Sequence, residues 1–329
     1  MTQELFGLIG FFVFITGLCI GSFLNVVALR ALTGESIVLP PSKCPACGEK
    51  IKPWDNIPVL SYLILRGKCR SCKTPISIQY PIVELFTGIG FFLLFQVFGQ
   101  FLFEQPVVWQ KALLFPFFLI IFALSVVIAI TDIKEQVVFD VHTISLLVVI
   151  ILFKFANGLF TDAIIGMIAG AVIIELFSLV SWLLTKKRAF GTGDTFITAS
   201  MGALLGFKMF IIAFVTAVII QIIFTIIPFL KKLAKNGEFK LLTLFALFSL
   251  ILLFYKLPIM NSLNDIIKYI FMAALTIVGV YMCKLLLTLK SLKDNPTYWP
   301  FGPSLLIAMF LTVFYGDAIK YFFLTLMFS

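Results

Sequence analysis

Long apolar runs, separated by short polar or basic stretches, set the pattern of this chain. Such runs fall at about 5–29, 81–102, 112–131, 141–156, 162–184, 195–206, 208–230, 239–255, 265–289 and 302–327. Several exceed the ~20 residues that cross a bilayer as a helix, while 195–206 is short and predicts a half-length or tilted element. The first run predicts a span rather than a cleavable signal, because "MTQE" before it carries no positive charge and Arg30 follows it. The pattern breaks at residues 30–80. That segment holds eight of the 25 Lys and Arg, four of the six Cys, and Pro40, Pro41, Pro45, Pro53, Pro58 and Pro75. It predicts a small soluble module between the first two spans, too short to bury a core of its own and therefore in need of a staple.

Composition agrees with the pattern. The chain is 61% hydrophobic and 12% charged, with mean hydropathy +1.12, whereas soluble domains sit near half apolar and about a quarter charged. The expectation is an all-α polytopic membrane protein of about 8–10 transmembrane helices with a small four-cysteine module resembling a zinc ribbon. Charge orients it. With the segment after the first run on the cytoplasmic side, 19 of the 25 basic residues face inward; Lys111, Lys154, Lys208, Lys256, Lys268 and Lys320 fall outside or near outer ends. This bias predicts an outside N-terminus, an even number of crossings and a cytoplasmic module. The net charge of +9 is mostly this topological bias, so membrane lipid is the expected surrounding and no nucleic-acid partner is implied.

The staple is legible in "CPAC" at Cys44 and Cys47 and "CRSC" at Cys69 and Cys72. Two Cys-x-x-Cys pairs at this separation come close to zinc-ribbon spacing, and four thiolates make a closed tetrahedral site suited to a structural ion. A pair of disulfides is the competing reading, and a reducing cytoplasm disfavours it. Cys19 and Cys283 lie within apolar runs and read as packing residues. The sole histidine, His142, cannot support a triad, and no serine or cysteine has a nearby base.

Most acidic residues fall in loops or at span ends, where hydration makes them cheap. Asp132 ends one apolar run and Asp194 begins another, and the topology puts both at the same depth on the cytoplasmic face. Asp140 opens the fourth run and Glu84 lies just inside the second. An aspartate at a helix start is often a cap, which could account for Asp194 alone. Asp132 sits at a helix C-terminal end, where the dipole opposes it. Two carboxylates brought together cannot both ionise readily, and such a pair can serve as general acid and general base to activate water. Gly191 and Gly193 carry no side chains, which would let a substrate strand approach Asp194.

These residues together resemble the type IV prepilin peptidases, a family of bacterial inner-membrane leader peptidases and N-methyltransferases of the GxGD type. The resemblance is carried by "GSFLNVVALR" (Gly21 to Arg30), the cysteine module with Asp55, Asn56 and Pro58, "YPIVEL" (Tyr80 to Leu85), "TDIKEQVVFD", "GTGDTFITASMGALLG" and "PFGPSLLIAM" from Pro300. It covers nearly the whole chain. It implies catalytic roles for Asp132 and Asp194, a supporting role for Asp140, zinc at the four cysteines and S-adenosyl-L-methionine as methyl donor, at residues it does not identify. It also implies prepilin and pseudopilin substrates, cut on the cytoplasmic side of the inner membrane after glycine and N-methylated on the new terminus, usually phenylalanine.

Two departures stand out. Phe139 occupies a position that is commonly proline in the family, and the chain is longer than the family pattern between Gly206 and Pro300, which suggests an extra helical pair at about 235–290. The expected divisions are therefore 1–29 as first span, 30–80 as zinc module associated with methyl transfer, and 81–329 as peptidase core. The alternatives are a peptidase without methyl transfer and a proton-coupled transporter with a cytoplasmic zinc module.

Overall fold

The computed structural model describes residues 3–39, 41–103, 109–186, 188, 190–255, 273, 276–279, 281 and 300–328. The elements are helices: α1 (Gln3–Thr33), α2 (Leu60–Ile64), α3 (Gln79–Phe98), α4 (Trp109–Ala112), α5 (Leu114–Glu135), α6 (Asp140–Ala156), α7 (Phe160–Thr185), α8 (Thr192–Lys235), α9 (Phe239–Tyr255) and α10 (Phe301–Phe328). Six of them are long and apolar enough to cross a membrane, those in Gln3–Thr33, Gln79–Leu102, Leu114–Glu135, Phe160–Leu183, Thr192–Lys235 and Phe301–Ile319. The all-helical, multi-pass expectation is thus met. The shorter runs at 141–156 and 239–255 also form helices, while the run at 265–289 lies almost wholly outside the described residues. In lipid a helix satisfies every backbone polar group within itself, so apolar side chains can face outward, as Phe11, Phe12, Ile165 and Ile168 do.

The two short runs 195–206 and 208–230 are parts of one long element with a break between them. Gly206 has φ 72° and ψ 165°, a conformation that glycine reaches without the penalty a β-carbon brings. The Asp162 carboxylate packs against that break, and Lys154 Nζ lies 3.8 Å from it.

The chain divides into two compact units, one of Met1–Leu183, Lys187–Ala217 and Pro300–Ser329, the other of Leu184–Lys186 and Val218–Trp299. In the first, α1 packs along α3 and both meet α5. The α1–α3 seam is tight because Gly17 lies against Gly88 and Gly21 against Glu84 and Thr87, so that a β-carbon at either would sit within about 3 Å of its neighbour. Phenylalanine rings fill the interior between α3, α5 and α10, with Phe122 edge-on to both Phe91 and Phe310. In the second unit, α8 turns at Gly237 into α9, where Phe229 meets Phe245 and Leu233 and Leu241 are buried. This unit contains the first helix of the suggested extra pair.

Candidate active site and metal centre

Asp132 sits in the last turn of α5, where Gln136 adopts a left-handed conformation and its N–H donates to the Asp132 carbonyl at 2.9 Å, ending the helix. The Asp132 side chain is buried, with 5% of its surface exposed, and among the described residues its Oδ2 makes no well-aligned hydrogen bond, the Gly302 backbone being packed closely against it. Burying a carboxylate oxygen without a well-aligned partner is costly. Asp194 lies in the first turn of α8, half-buried, and its Oδ2 accepts from the Gly191 N–H at 3.3 Å.

Three helix ends meet here. Asp132 and Ile197, one turn after Asp194, both lie against Gly302, so the two aspartates come to the same helix ends although 62 positions separate them in the chain. The first turn of α8 rests on the α5–α6 connection, because Gly193 lies against Val138. The first turn of α10 closes the third side. Gly302 is packed so tightly on the Asp132 carboxylate that a β-carbon there would collide with it, and it also faces Ile197, one turn after Asp194 in α8. Phe301 lies beside Phe190, the rings tilted and their centroids 5.3 Å apart. The N-terminal ends of α8 and α10 both carry partial positive charge near these acids.

The structure treats the two expected glycines differently. Gly191 is open, with nothing near the place of a β-carbon, whereas the space at Gly193 is taken by Val138. Among the described residues, open space lies at the first glycine and not at the second. Asp140 is exposed at the start of α6, where the helix dipole suits it. The departure at Phe139 leaves the turn intact. Its φ of −79° is one that proline also adopts, and its ring stands edge-on to His142.

Two residues escaped sequence reasoning. Gly302 was visible as part of the "PFGP" motif, yet only packing puts it against Asp132. Glu175 lies well inside α7 rather than at a span end; Thr195, next to Asp194, donates to its Oε1 at 2.9 Å. Glu175 also lines a cavity of about 490 Å³ with Ser178 and Arg188.

The cysteine module is built from two equivalent knuckles. The Cys44 N–H donates to Glu49 O and Gly48 N–H returns to Cys44 O, both at 2.9 Å. The Cys69 N–H donates to Thr74 O at 2.9 Å and Lys73 N–H returns to Cys69 O at 3.1 Å. Gly48 and Lys73, each four residues after the first cysteine of its knuckle, both have positive φ. This local repeat was hidden in the sequence because a lysine stands where glycine would signal the turn.

The four sulfurs lie within 4.8 Å of one another, and Cys44 Sγ is 3.8 Å from Cys72 Sγ. A tetrahedral zinc with bonds of about 2.3 Å would separate its sulfurs by about 3.8 Å, so the donor set fits that ion. All four cysteines are free thiols rather than disulfides. The Thr74 hydroxyl and N–H lower the Cys72 thiol to about 6, and the Cys47 and Ala46 N–H groups lower Cys44. The Glu49 N–H also lowers Cys47, but it is outweighed by the neighbouring sulfurs, that of Cys72 foremost, and by desolvation, which push that thiol up to about 11. Four thiols this close call for a cation to let all ionise.

The module is tied down at two points. Arg70, inside the second knuckle, grips the Asp55 carboxylate through Nε at 2.8 Å and through Nη2. The Val59 N–H donates to the buried Glu84 Oε2 at 2.7 Å, with Val59 held at φ 61°. Asn25 and Gln79 are joined beside this junction.

Comparison with known proteins follows the same division. Residues 15–98 match the bacterial peptidase A24 N-terminal domain, and residues 117–226 match the type IV leader peptidase family. The prepilin leader peptidase/N-methyltransferase of Myxococcus xanthus (strain DK1622) is 37% identical over 199 residues, covering 60% of this chain and 56% of the relative. Its namesake in Neisseria gonorrhoeae is 32% identical over 251 residues, 68% of this chain and 83% of the relative, and that of Pseudomonas aeruginosa is 32% identical over 252 residues, covering 67% and 81%. The chain thus spans little more than half of the M. xanthus relative and about four fifths of the other two. No solved structure matches the chain. Paired helix-end aspartates, a four-cysteine module between the first two long helices, and these matches lead to one conclusion: the chain belongs to the type IV leader peptidase family.

Proposed function

We propose that this protein cleaves the leader peptides of type IV prepilins and pseudopilins, after glycine and before phenylalanine, at the cytoplasmic face of the bacterial inner membrane. Asp132 and Asp194 activate the attacking water. One carboxylate, ionised, takes the water proton as the oxygen attacks the scissile carbonyl. The other, protonated, donates to the carbonyl oxygen; the first then passes the proton it took from water to the leaving amine, and the second recovers its own as the gem-diol collapses to the new carboxyl group. Either carboxylate can serve as base with the other as acid, so the two roles belong to the pair. Gly302 holds Asp132 from the α10 side, and open Gly191 leaves room for the substrate chain beside Asp194. Asp140 supports the turn between α5 and α6.

The observation that carries this reading is that Gly302 lies against both the buried Asp132 carboxylate and Ile197, one turn after Asp194, at helix ends far apart in sequence. Zinc at Cys44, Cys47, Cys69 and Cys72 holds the module together. S-adenosylmethionine supplies the methyl group with which the same chain N-methylates the new terminus, and residues 30–80 belong to that second activity. The names of the relatives support the pairing of the two activities.

The test is co-expression with a prepilin carrying a Gly–Phe junction. Asp132→Asn and Asp194→Asn should each lower cleavage by at least about 10³-fold. Wild-type cleavage by either variant overturns the aspartyl assignment. Mass spectrometry of the mature pilin terminus reads the methyl group, and an unmethylated product would reduce the chain to a plain peptidase.

A further inference from the structure

One carboxylate in the apolar helices is not used by the cleavage step. Glu175 lies on α7 about 15 Å from its end at Thr185 by helical rise. It is exposed, and its neighbours on that face, Val172, Leu176, Leu179 and Trp182, are large apolar side chains left about half exposed. A carboxylate on such a face is costly and calls for a cation. The bond from Thr195 engages Oε1, and among the described residues Glu175 forms no ion pair. These residues line the cavity of about 490 Å³ on α7, a size within the range of small-molecule sites, about 300–1,000 Å³. Resting on the cleavage reading above, we propose that this cavity is the subsite for the first residue of the mature chain. Glu175 takes the α-ammonium that cleavage frees, and the apolar face takes the phenylalanine ring beside it.

Hydrolysis sets the chemistry of what lies next to Asp194. Water adds its oxygen to the glycine carbonyl carbon, the C–N bond breaks, and a proton goes to the leaving nitrogen. The products then ionise, so the leader ends in a carboxylate and the mature chain begins with an ammonium, whose ordinary pKa is about 8. Only the second product suits Glu175. The glycine that ends the leader also has no side chain to fill an apolar cavity. Phenylalanine carries its ring on the carbon next to the one that bears the amine. A single residue can therefore reach a carboxylate and an apolar surface together, as Glu175 with Leu176 and Leu179 provides on one helical face.

Two further features point to a ligand. Ser178 lines the same cavity and is buried, with 3% of its surface exposed, yet its hydroxyl has no hydrogen-bond partner among the described residues. A buried hydroxyl in that condition is available to donate to a ligand, here the first backbone carbonyl of the mature chain. Arg188 and Glu175 line the cavity together without forming an ion pair, which leaves the carboxylate for an incoming cation. The bond from Thr195 fixes Glu175 beside the residue that follows Asp194, so the subsite is continuous with the helix end where the bond is cut.

The test uses the full zinc-loaded chain in lipid nanodiscs. Its probe is a synthetic peptide that starts with p-benzoylphenylalanine and continues with a short run of leucine and alanine. Ultraviolet irradiation and peptide mapping should place the label within residues 172–188, and excess peptide starting with phenylalanine should protect it. Acetylating the amine should weaken binding to the wild-type chain at least about tenfold. Glu175→Gln, which keeps an oxygen for Thr195, should weaken the free-amine peptide by the same factor and bind the acetylated one as wild type does. Leu179→Trp, which fills the cavity, should weaken both peptides. Val26→Trp, in a second cavity where the end of α1 meets residues 37–58, should weaken neither. Label outside 172–188, equal wild-type affinity for free and acetylated peptides, or a wild-type Kd for Glu175→Gln each overturns the assignment. So does tight binding of an acetylated peptide with lysine second, which would show that any amine serves, or labelling that added phospholipid blocks and the free-amine peptide does not. Binding does not require cleavage, which separates the readings. A chain that binds the free terminus but leaves a Gly–Phe prepilin intact keeps this site and loses its peptidase role. One that cleaves but ignores the acetyl group loses this site and keeps that role. Mapping on the wild-type chain decides the matter even if a variant does not fold.

Discussion

The carboxylate pair and the cysteine cluster solve opposite problems with the same economy of residues. Each knuckle of the cysteine module closes within about ten residues, through backbone hydrogen bonds between Cys44 and Glu49 or Cys69 and Thr74. Its geometry is local, and an ion held there would join only the two halves. The aspartates are brought together by nothing local. Asp132 depends on α5 ending at Gln136, on Val138 receiving Gly193, and on Gly302 arriving from the far end of the chain. A site made of turns is vulnerable to loss of its ligand, whereas a site made of helix ends is vulnerable to any change in how closely those ends approach.

Removing the ion is the strongest way to test that contrast. Cys44→Ser, or a chelator, should take zinc from about one per chain to none and expose residues 42–76 to protease, because the module has no core to fall back on. Metal analysis and limited proteolysis would read both effects. A module that stays protected without metal would mean that packing, not the ion, holds it. Smaller, and confined to the other site, is the effect expected of Gly302→Val. The added side chain must push α10 away from Asp132, which should lower prepilin cleavage about 100-fold while zinc content stays at the wild-type level. Cleavage at the wild-type rate would show that α10 is not part of the site.

The smallest effect is expected at the clamp between Asp55, whose side chain is largely covered, and the half-exposed Arg70. The guanidinium holds the Asp55 carboxyl below the usual carboxylate range. A depressed acid contributes stability that is present above the ordinary aspartate value, about 4, and is lost as pH falls through the lower folded value. Asp55→Asn should therefore lower Tm by about 2 °C or less at neutral pH, with the gap to wild type closing below about pH 4. A gap that stays constant down to about pH 2 would assign the effect to packing instead.

Much of the fold was legible because a bilayer leaves few choices. Continuous apolar runs must be helices, and nine of the ten runs in the sequence are helical, wholly or in large part, among the described residues. Even the gap between 206 and 208 corresponded to a real feature, the break at Gly206. What pattern could not supply was neighbourhood. Glu175 does not stand out in the sequence, because a single charged residue hardly alters the hydropathy of a run. Gly191 and Gly193 were indistinguishable as letters, yet Val138 fills the space at one and leaves the other open. Lys73 concealed the likeness of the two knuckles by adopting a backbone conformation that glycine holds at Gly48.

By itself the sequence determined the helical, membrane-crossing character, the four-cysteine module and the two aspartates as candidates. Those follow from composition over windows, from spacing within a turn, and from the cost of a carboxylate beside apolar residues. Only the tertiary structure decided that Gly302 faces Asp132, that Glu84 anchors the module, and that the end of α1 and residues 37–58 enclose a cavity. These depend on contacts between segments distant in the chain, where the approach of one helix to another is set by a few missing side chains, and periodicity does not record which helix will be the neighbour.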